Sequence, residues 1–202
     1  YAVNLVSFDA SNFDTSECTS MYCMFRYCSN LEQIDLHTFD TSKVTSMNCL
    51  FAGDTKLRQV NVSGFDTSQV TDMSWMFSDC FSLEALDLSS FDTGNVTDMY
   101  DMLYRCNSLT EVKLGSKWTK WISDYSALPN EGTWENAALG LIMSAEDLYE
   151  QYPANAAAWS GTWKRRLVYA VLTDDKDLVF VRSNGIYTNS YYESVERIDG
   201  GA

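Results

Sequence analysis

Four aspartates recur at one interval. Asp14, Asp40, Asp66 and Asp92 lie 26 residues apart, each followed by Thr and then by Ser or Gly. Asp35 and Asp87 flank Asn61 in a second set with the same spacing. If the repeats stack, neighbouring carboxylates face each other at about the 4.8 Å spacing of adjacent strands. Such a ladder admits three readings. Calcium takes roughly six to eight oxygens, some of which a ladder could supply. Two acids in unlike environments could hydrolyse a glycosidic bond. Alternatively, each Asp could accept a backbone N–H where the chain turns into its next element. A repeated ladder provides like environments, which disfavours an acid–base pair. The Thr-Ser or Thr-Gly that follows favours backbone capping.

Cysteine and histidine supply little more. His37 is the only histidine, and the six cysteines contain no C-x-x-C pair, so no zinc site is expected. Cys28, Cys80 and Cys106 share one repeat position and are expected to be packed, reduced thiols behaving as small hydrophobes. Asp54 takes that position in the second repeat and must turn outward or find a partner. Cys18 stands where other repeats have Val. Cys23 and Cys49 share a more exposed position, filled elsewhere by Trp75 and Asp101. Between helices about 8–10 Å apart they could bridge only with local tightening. G-x-S-x-G, H-E-x-x-H and phosphate-cradling glycine loops are absent. The expectation is a non-enzyme with no catalytic residue, metal ligand or cofactor.

The elements that carry these residues follow from a longer phrase. Phe13, Phe39, Phe65 and Phe91 precede the four aspartates, and Met21, Met47, Met73 and Met99 also align. Self-similarity at this period predicts a solenoid whose units bury their apolar faces only against one another. Leu83, Leu86 and Leu88 follow L-x-x-L-x-L, whose last two members alternate with a polar residue as in a half-buried strand. Val96, Met99, Met102, Leu103 and Cys106 are spaced like one face of a short helix, with Thr-Gly upstream as its N-cap. Leu5, Phe8 and Ala10 sit 26 residues before Leu31, Ile34 and Leu36, so the chain opens on the strand of an earlier coil and reads as a piece of a longer protein.

The phrase L-x-x-L-D-L-S-S-F-D-T-x-x-V-T-D-M-x-x-M-F-x-x-C, read over residues 1 to about 116, resembles the variant leucine-rich repeat of BspA-like bacterial surface proteins and mycoplasma lipoproteins. The resemblance implies an α/β fold: a right-handed leucine-rich-repeat-type solenoid with short helices on one face. It also implies a secreted or cell-surface location and a role in adhesion. Gly161-Thr162-Trp163 resembles the segment that closes such arrays.

Charge narrows the partners. Residues 1–116 carry 16 acidic and 6 basic side chains, a net of −10, and the remainder 12 and 8, a net of −4. Phosphate contacts come from Lys and Arg, so nucleic acid is not expected as a partner. An anionic membrane surface is disfavoured likewise, and no apolar run reaches the roughly 18 residues a spanning helix needs.

Three segments are expected: repeats over 1–116, a cap over 117–163 and a small β-rich piece over 164–202. The middle segment holds Trp118, Trp121, Trp134, Trp159 and Trp163, five of six tryptophans, as a cap over the last apolar coil would. Ser144 should cap a helix that Pro153 ends. Lys164-Arg165-Arg166 reads as a solvated junction. Leu167–Leu172 and Leu178–Val181 read as a hairpin turning at Asp174-Asp175-Lys176-Asp177, with a second turn at Asn184-Gly185; the piece is either packed on the cap or the start of a truncated module.

For function, the outward strand residues Gln33, Asp35, Gln59, Asn61, Asp87, Glu111 and Lys113 vary while the apolar positions do not. They are the expected binding face for a protein ligand, from a host or another bacterial surface. The alternatives are a glycan stacked on the Trp-rich segment and a passive spacer.

Overall fold

The structure, a computed structural model, describes residues 2–121, 128–129, 132–172, 178–183 and 195–196, with side chains as far as Leu167. The 26-residue interval of the sequence is the spacing of its backbone pairing. Strand β1 (Gln33–Asp35) lies parallel to β2 (Gln59–Asn61), pairing Gln33 with Gln59 and Asp35 with Asn61. Strand β3 (Ala85–Leu88) lies parallel to β4 (Glu111–Leu114) in the same register. A second line of contact joins Ser20, Ser46, Asp72 and Asp98 through parallel bridges. Ile34, Leu36, Leu86, Leu88, Val112 and Leu114 point into one core shared with the Met21, Met47, Met73 and Met99 column.

No repeat forms the helix that its apolar spacing predicts. Among the described residues the one α-helix lies in the C-terminal segment. The reason is visible in the backbone. Cys23, Cys49, Trp75 and Asp101 all have φ between 53° and 55°, and Tyr27, Asp79 and Arg105 lie at 59–60° with Gly53 at 79°. A left-handed residue every fourth position cannot continue an α-helix. The segment instead runs as successive turns, with Met24 N–H bonded to the Met21 carbonyl and Cys28 N–H to that of Phe25. Positive φ at the third residue is what a type II turn requires. The N–H groups of Met21, Cys23, Phe25 and Tyr27 leave the segment and donate to Ser46, Asn48, Leu50 and Ala52, all at 2.9–3.0 Å. Hydrogen bonds that would have closed a helix therefore join one coil to the next.

The strands also do not make one continuous face. β1 and β2 form a two-stranded sheet, whereas β3 and β4 belong to a separate seven-stranded mixed sheet. The expected α/β leucine-rich-repeat-type solenoid, with helices on one face, is thus not the fold: the chain is mostly sheet and turn.

The repeated phrase has a structural meaning in this arrangement. Its Phe stacks between coils: Phe65 on Phe91 at 6.4 Å, with Trp118 continuing the column at 6.3 Å. A second column runs Phe25, Phe51, Phe77 at 5.8 and 5.3 Å. Its Thr staples the coils. Buried Thr41 accepts the N–H of Asp66 at 2.8 Å and donates to the Asp66 carbonyl at 2.9 Å, and Thr67 does the same to Asp92.

Beyond the repeats, β5 (Thr133–Asn136), β6 (Leu141–Met143), α1 (Ala145–Trp159) and β7 (Gly161–Leu172) cover the last coil. β7 runs antiparallel to both β4 and β5, giving the order β3-β4-β7-β5-β6. Trp118, Trp134, Trp163 and Tyr152 are fully buried there. Ser144 caps α1 by accepting the Asp147 N–H at 2.9 Å. Pro153 does not end the helix, which continues to Trp159; Tyr152 and Ala156, both buried on its inner face, hold it through the missing bond. Nor is the basic triplet a solvated junction. Arg165 is buried and donates to the Asn107 carbonyl at 2.7 Å, and Arg166 pairs with Glu135. β7 pairs with β8 (Leu178–Ser183) as a hairpin, and β8 with β9 (Val195–Glu196). The turns expected at Asp174–Asp177 and Asn184-Gly185 lie outside the described residues.

Candidate functional site

The strand residues expected to bind fall into two groups. Gln33, Asp35, Gln59 and Asn61 are exposed on β1 and β2, and Asp87, Glu111 and Lys113 lie on β3 and β4. Register sets Asp87 beside Lys113, and they pair at 3.0 Å. Glu111 pairs with Lys164 of β7 at 3.1 Å. Several of these side chains also build the fold. Asp35 accepts the N–H of His37 at 3.1 Å and its ring at 2.7 Å, which holds the carboxyl below its ordinary range. Asn61 accepts the N–H and hydroxyl of Ser63. Burial pushes the Asp87 carboxyl up, but bonds from the Ser89 hydroxyl and N–H and from Lys113 outweigh it and hold it low. The other ladder behaves alike: Asp14, Asp40, Asp66 and Asp92 each accept the N–H two residues on, at 2.9–3.0 Å. These are Asx-turns, and one oxygen of each acid serves the turn.

A different edge carries the side chains best suited to recognition. On the left-handed turns of the third and fourth coils, Trp75, Tyr100 and Tyr104 are 37%, 41% and 47% exposed. Trp75 meets Tyr100 edge-on at 5.2 Å; burial pushes the Asp101 carboxyl up, and the nearby Trp75 indole offsets part of this. Arg105 lies over Phe81 at 4.7 Å and pairs with Asp79 at 3.0 Å. The backbone beneath is held by bonds from Trp75 N–H to the Tyr100 carbonyl and from Asp79 N–H to that of Tyr104, both 2.8 Å. Exposure of three large aromatics, at one place, on a backbone with no slack, is an arrangement that packing alone does not require. The sequence carried the signal: Trp and Tyr stand at repeat positions off the apolar face, next to Met99 and Met102.

In the C-terminal segment Trp118, Trp134 and Trp163 lie inside the core, whereas Trp121 and Trp159 are half-buried against it. Residues 19–128 match the family described as Mycoplasma protein of unknown function, DUF285. The chain belongs to that family. No curated protein and no solved structure matches it. The family segment runs from just before the first bridge position, Ser20, to beyond Trp118, so both the polar strand face and the aromatic edge lie within it. Among the described residues no cluster of His, Cys, Asp or Glu is arranged to hold a metal ion, and no helix is long and apolar enough to cross a membrane.

Proposed function

We propose that this chain is a non-catalytic interaction module of a BspA-like bacterial cell-surface protein, which binds a protein ligand of a host or neighbouring cell. The observation that carries this reading is the aromatic edge of Trp75, Tyr100, Tyr104 and Arg105. Trp, Tyr and Arg are enriched in binding hot spots, since each offers large contact area and a polar handle. The polar strand face of Gln33, Asp35, Gln59, Asn61, Asp87, Glu111 and Lys113 supplies the kind of charged rim that steers encounter and excludes wrong partners. The surface location rests on the resemblance of the repeat phrase and on the acidic composition, which disfavours nucleic acid. The tilt of 67° between Trp75 and Tyr100 leaves no shared flat face for a sugar ring, so a protein is favoured over a glycan.

Biolayer interferometry against purified extracellular-matrix and cell-surface proteins, beside a glycan array, tests this. Trp75→Ala with Tyr104→Ala should weaken protein binding by about tenfold or more, whereas Asp87→Ala with Lys113→Ala should change it less. Binding that survives the aromatic pair but is lost with the strand-face pair would refute the assignment of the anchor. Binding on the glycan array alone would replace the protein ligand.

A further inference from the structure

Cys23 and Cys49 occupy one position in adjacent coils, and the backbone fixes how they face each other. Both are left-handed, with φ of 54° and 55°, so their Cα–Cβ bonds point the same way. Hydrogen bonds from Cys23 N–H to Asn48 and from Phe25 N–H to Leu50, 3.0 and 2.9 Å, bracket the pair. They hold the coils at a strand-like spacing of about 4.8 Å, within the roughly 4.4–6.8 Å between Cα atoms that a disulfide tolerates. The wider separation of packed helices no longer applies. The two thiols are close enough to influence each other's charge. The Tyr22 hydroxyl is a near neighbour of Cys23, and the Arg26 guanidinium donates to the Cys23 sulfur at 3.8 Å.

We propose that Cys23 and Cys49 are a redox-active pair that forms a reversible disulfide across the first two turn segments. Cys23, half-buried, is the sulfur that solvent reaches, and Cys49 is the buried partner. The oxidant is a small-molecule disulfide. The Cys23 thiolate attacks one of its sulfurs, forming a mixed disulfide and releasing the first thiolate. Cys49 then attacks the Cys23 sulfur, giving up its proton as the second small thiol leaves. Two protein thiols are oxidised to one disulfide, and one disulfide is reduced to two thiols.

Cys80 and Cys106 form a built-in control. They are also one repeat apart, yet both are fully buried and donate to the carbonyls of Phe51 and Phe77 at 3.2 and 3.1 Å. Parallel Cα–Cβ bonds place the Cβ atoms of Cys23 and Cys49 near the coil spacing, just beyond the 3.5–4.5 Å or so that disulfides prefer. The bond should therefore be strained and easily reduced, as regulatory disulfides are.

The test uses the whole chain with Cys18→Ser, which removes the other half-exposed thiol. Reduced protein is treated with oxidised glutathione, then denatured, alkylated and digested. Five alkylatable thiols should fall to three, with the Cys23 and Cys49 peptides linked, and reduced glutathione should restore all five. Adding Cys49→Ser should leave glutathione on Cys23 as a stable mixed disulfide, with the far-UV spectrum unchanged. Retention of all five thiols would overturn the proposal. So would a link between Cys80 and Cys106 in place of Cys23 and Cys49, or a mixed disulfide on Cys23 that persists while Cys49 is present.

Discussion

Asp54 sits where three other repeats place cysteine, and it should make stability fall as pH rises. It is fully buried. One carboxyl oxygen accepts the Cys28 N–H at 2.7 Å, and the other meets no donor. Its column neighbours, Cys28 and Cys80, are thiols and bring no cation. Burial therefore pushes the Asp54 carboxyl up to about 8, and the single bond from Cys28 recovers only part of this. In the unfolded chain the same group titrates near 3.9. Between those values the native state holds a proton that the unfolded state releases. The stability this group contributes is fully present below about pH 4 and is lost as pH rises toward 8. The slope is at most about 1.4 kcal/mol per pH unit, or roughly 2–3 kcal/mol between pH 5 and 7. Asp54→Asn keeps the acceptor for Cys28 and abolishes the titration. Urea melts of both proteins at intervals from pH 5 to 8 isolate the effect, because other carboxylates cancel in the difference. The stability of the Asn variant relative to the parent should grow by about 2–3 kcal/mol from pH 5 to pH 7. A difference that stays flat over this range would refute the buried, protonated acid. Asp54→Ala is a poorer probe: Cys28 N–H keeps its bond to Phe25 at 3.0 Å, but a cavity replaces the carboxyl.

Two further substitutions test the joints between coils. Thr67→Val keeps the shape of a fully buried side chain but removes the hydroxyl that accepts from and donates to the Asp92 backbone; it should cost about 1–3 kcal/mol in urea melts. A cost below about 0.5 kcal/mol would show that the staple adds little beyond packing. Gly64→Ala should cost at least as much, because the new methyl would be driven into the His37 carbonyl of the preceding coil, and both are backbone with no rotamer to yield. A thermal midpoint unchanged from the parent would show that the coils can separate locally.

The period was legible in the sequence, and so was every column that depends on it. Phe65 stacks on Phe91 because both occupy one place in the phrase, and Asp40 caps its turn through the Ser42 N–H for the same reason. The conformation of the second half-repeat was not. Val96, Met99, Met102, Leu103 and Cys106 are spaced for a helix face, and every one is buried. Turns linked in succession bury the same positions as a helix does. The pattern of burial therefore cannot distinguish them, and only the destination of the N–H groups can. Gly53 was the one hint, as the residue type that prefers the left-handed turn position. Tyr27, Asp79 and Arg105 hid it by holding the same φ without being glycine.

That substitution of turns for helices also decides what the surface can do. A helix points its side chains away from its axis and sits about 8–10 Å from its neighbour. Turns bonded coil to coil bring equivalent residues to strand spacing, with repeated left-handed φ holding their Cβ atoms parallel. Trp75 consequently lands beside Tyr100 and Asp101, and Cys23 lands beside Cys49. The repeat places both pairs in one column, but packed helices would hold them too far apart to interact without local tightening. The residues named from sequence on the strand face are polar, and several already serve turns, as Asp35 and Asn61 do. The aromatic edge makes contacts of its own, Trp75 against Tyr100 and Arg105 with Asp79 and over Phe81, yet Trp75, Tyr100 and Tyr104 stay exposed. Large apolar area held in solvent by a rigid backbone gives up burial that folding could have used, and recognition of a partner is the physical reason that would recover it.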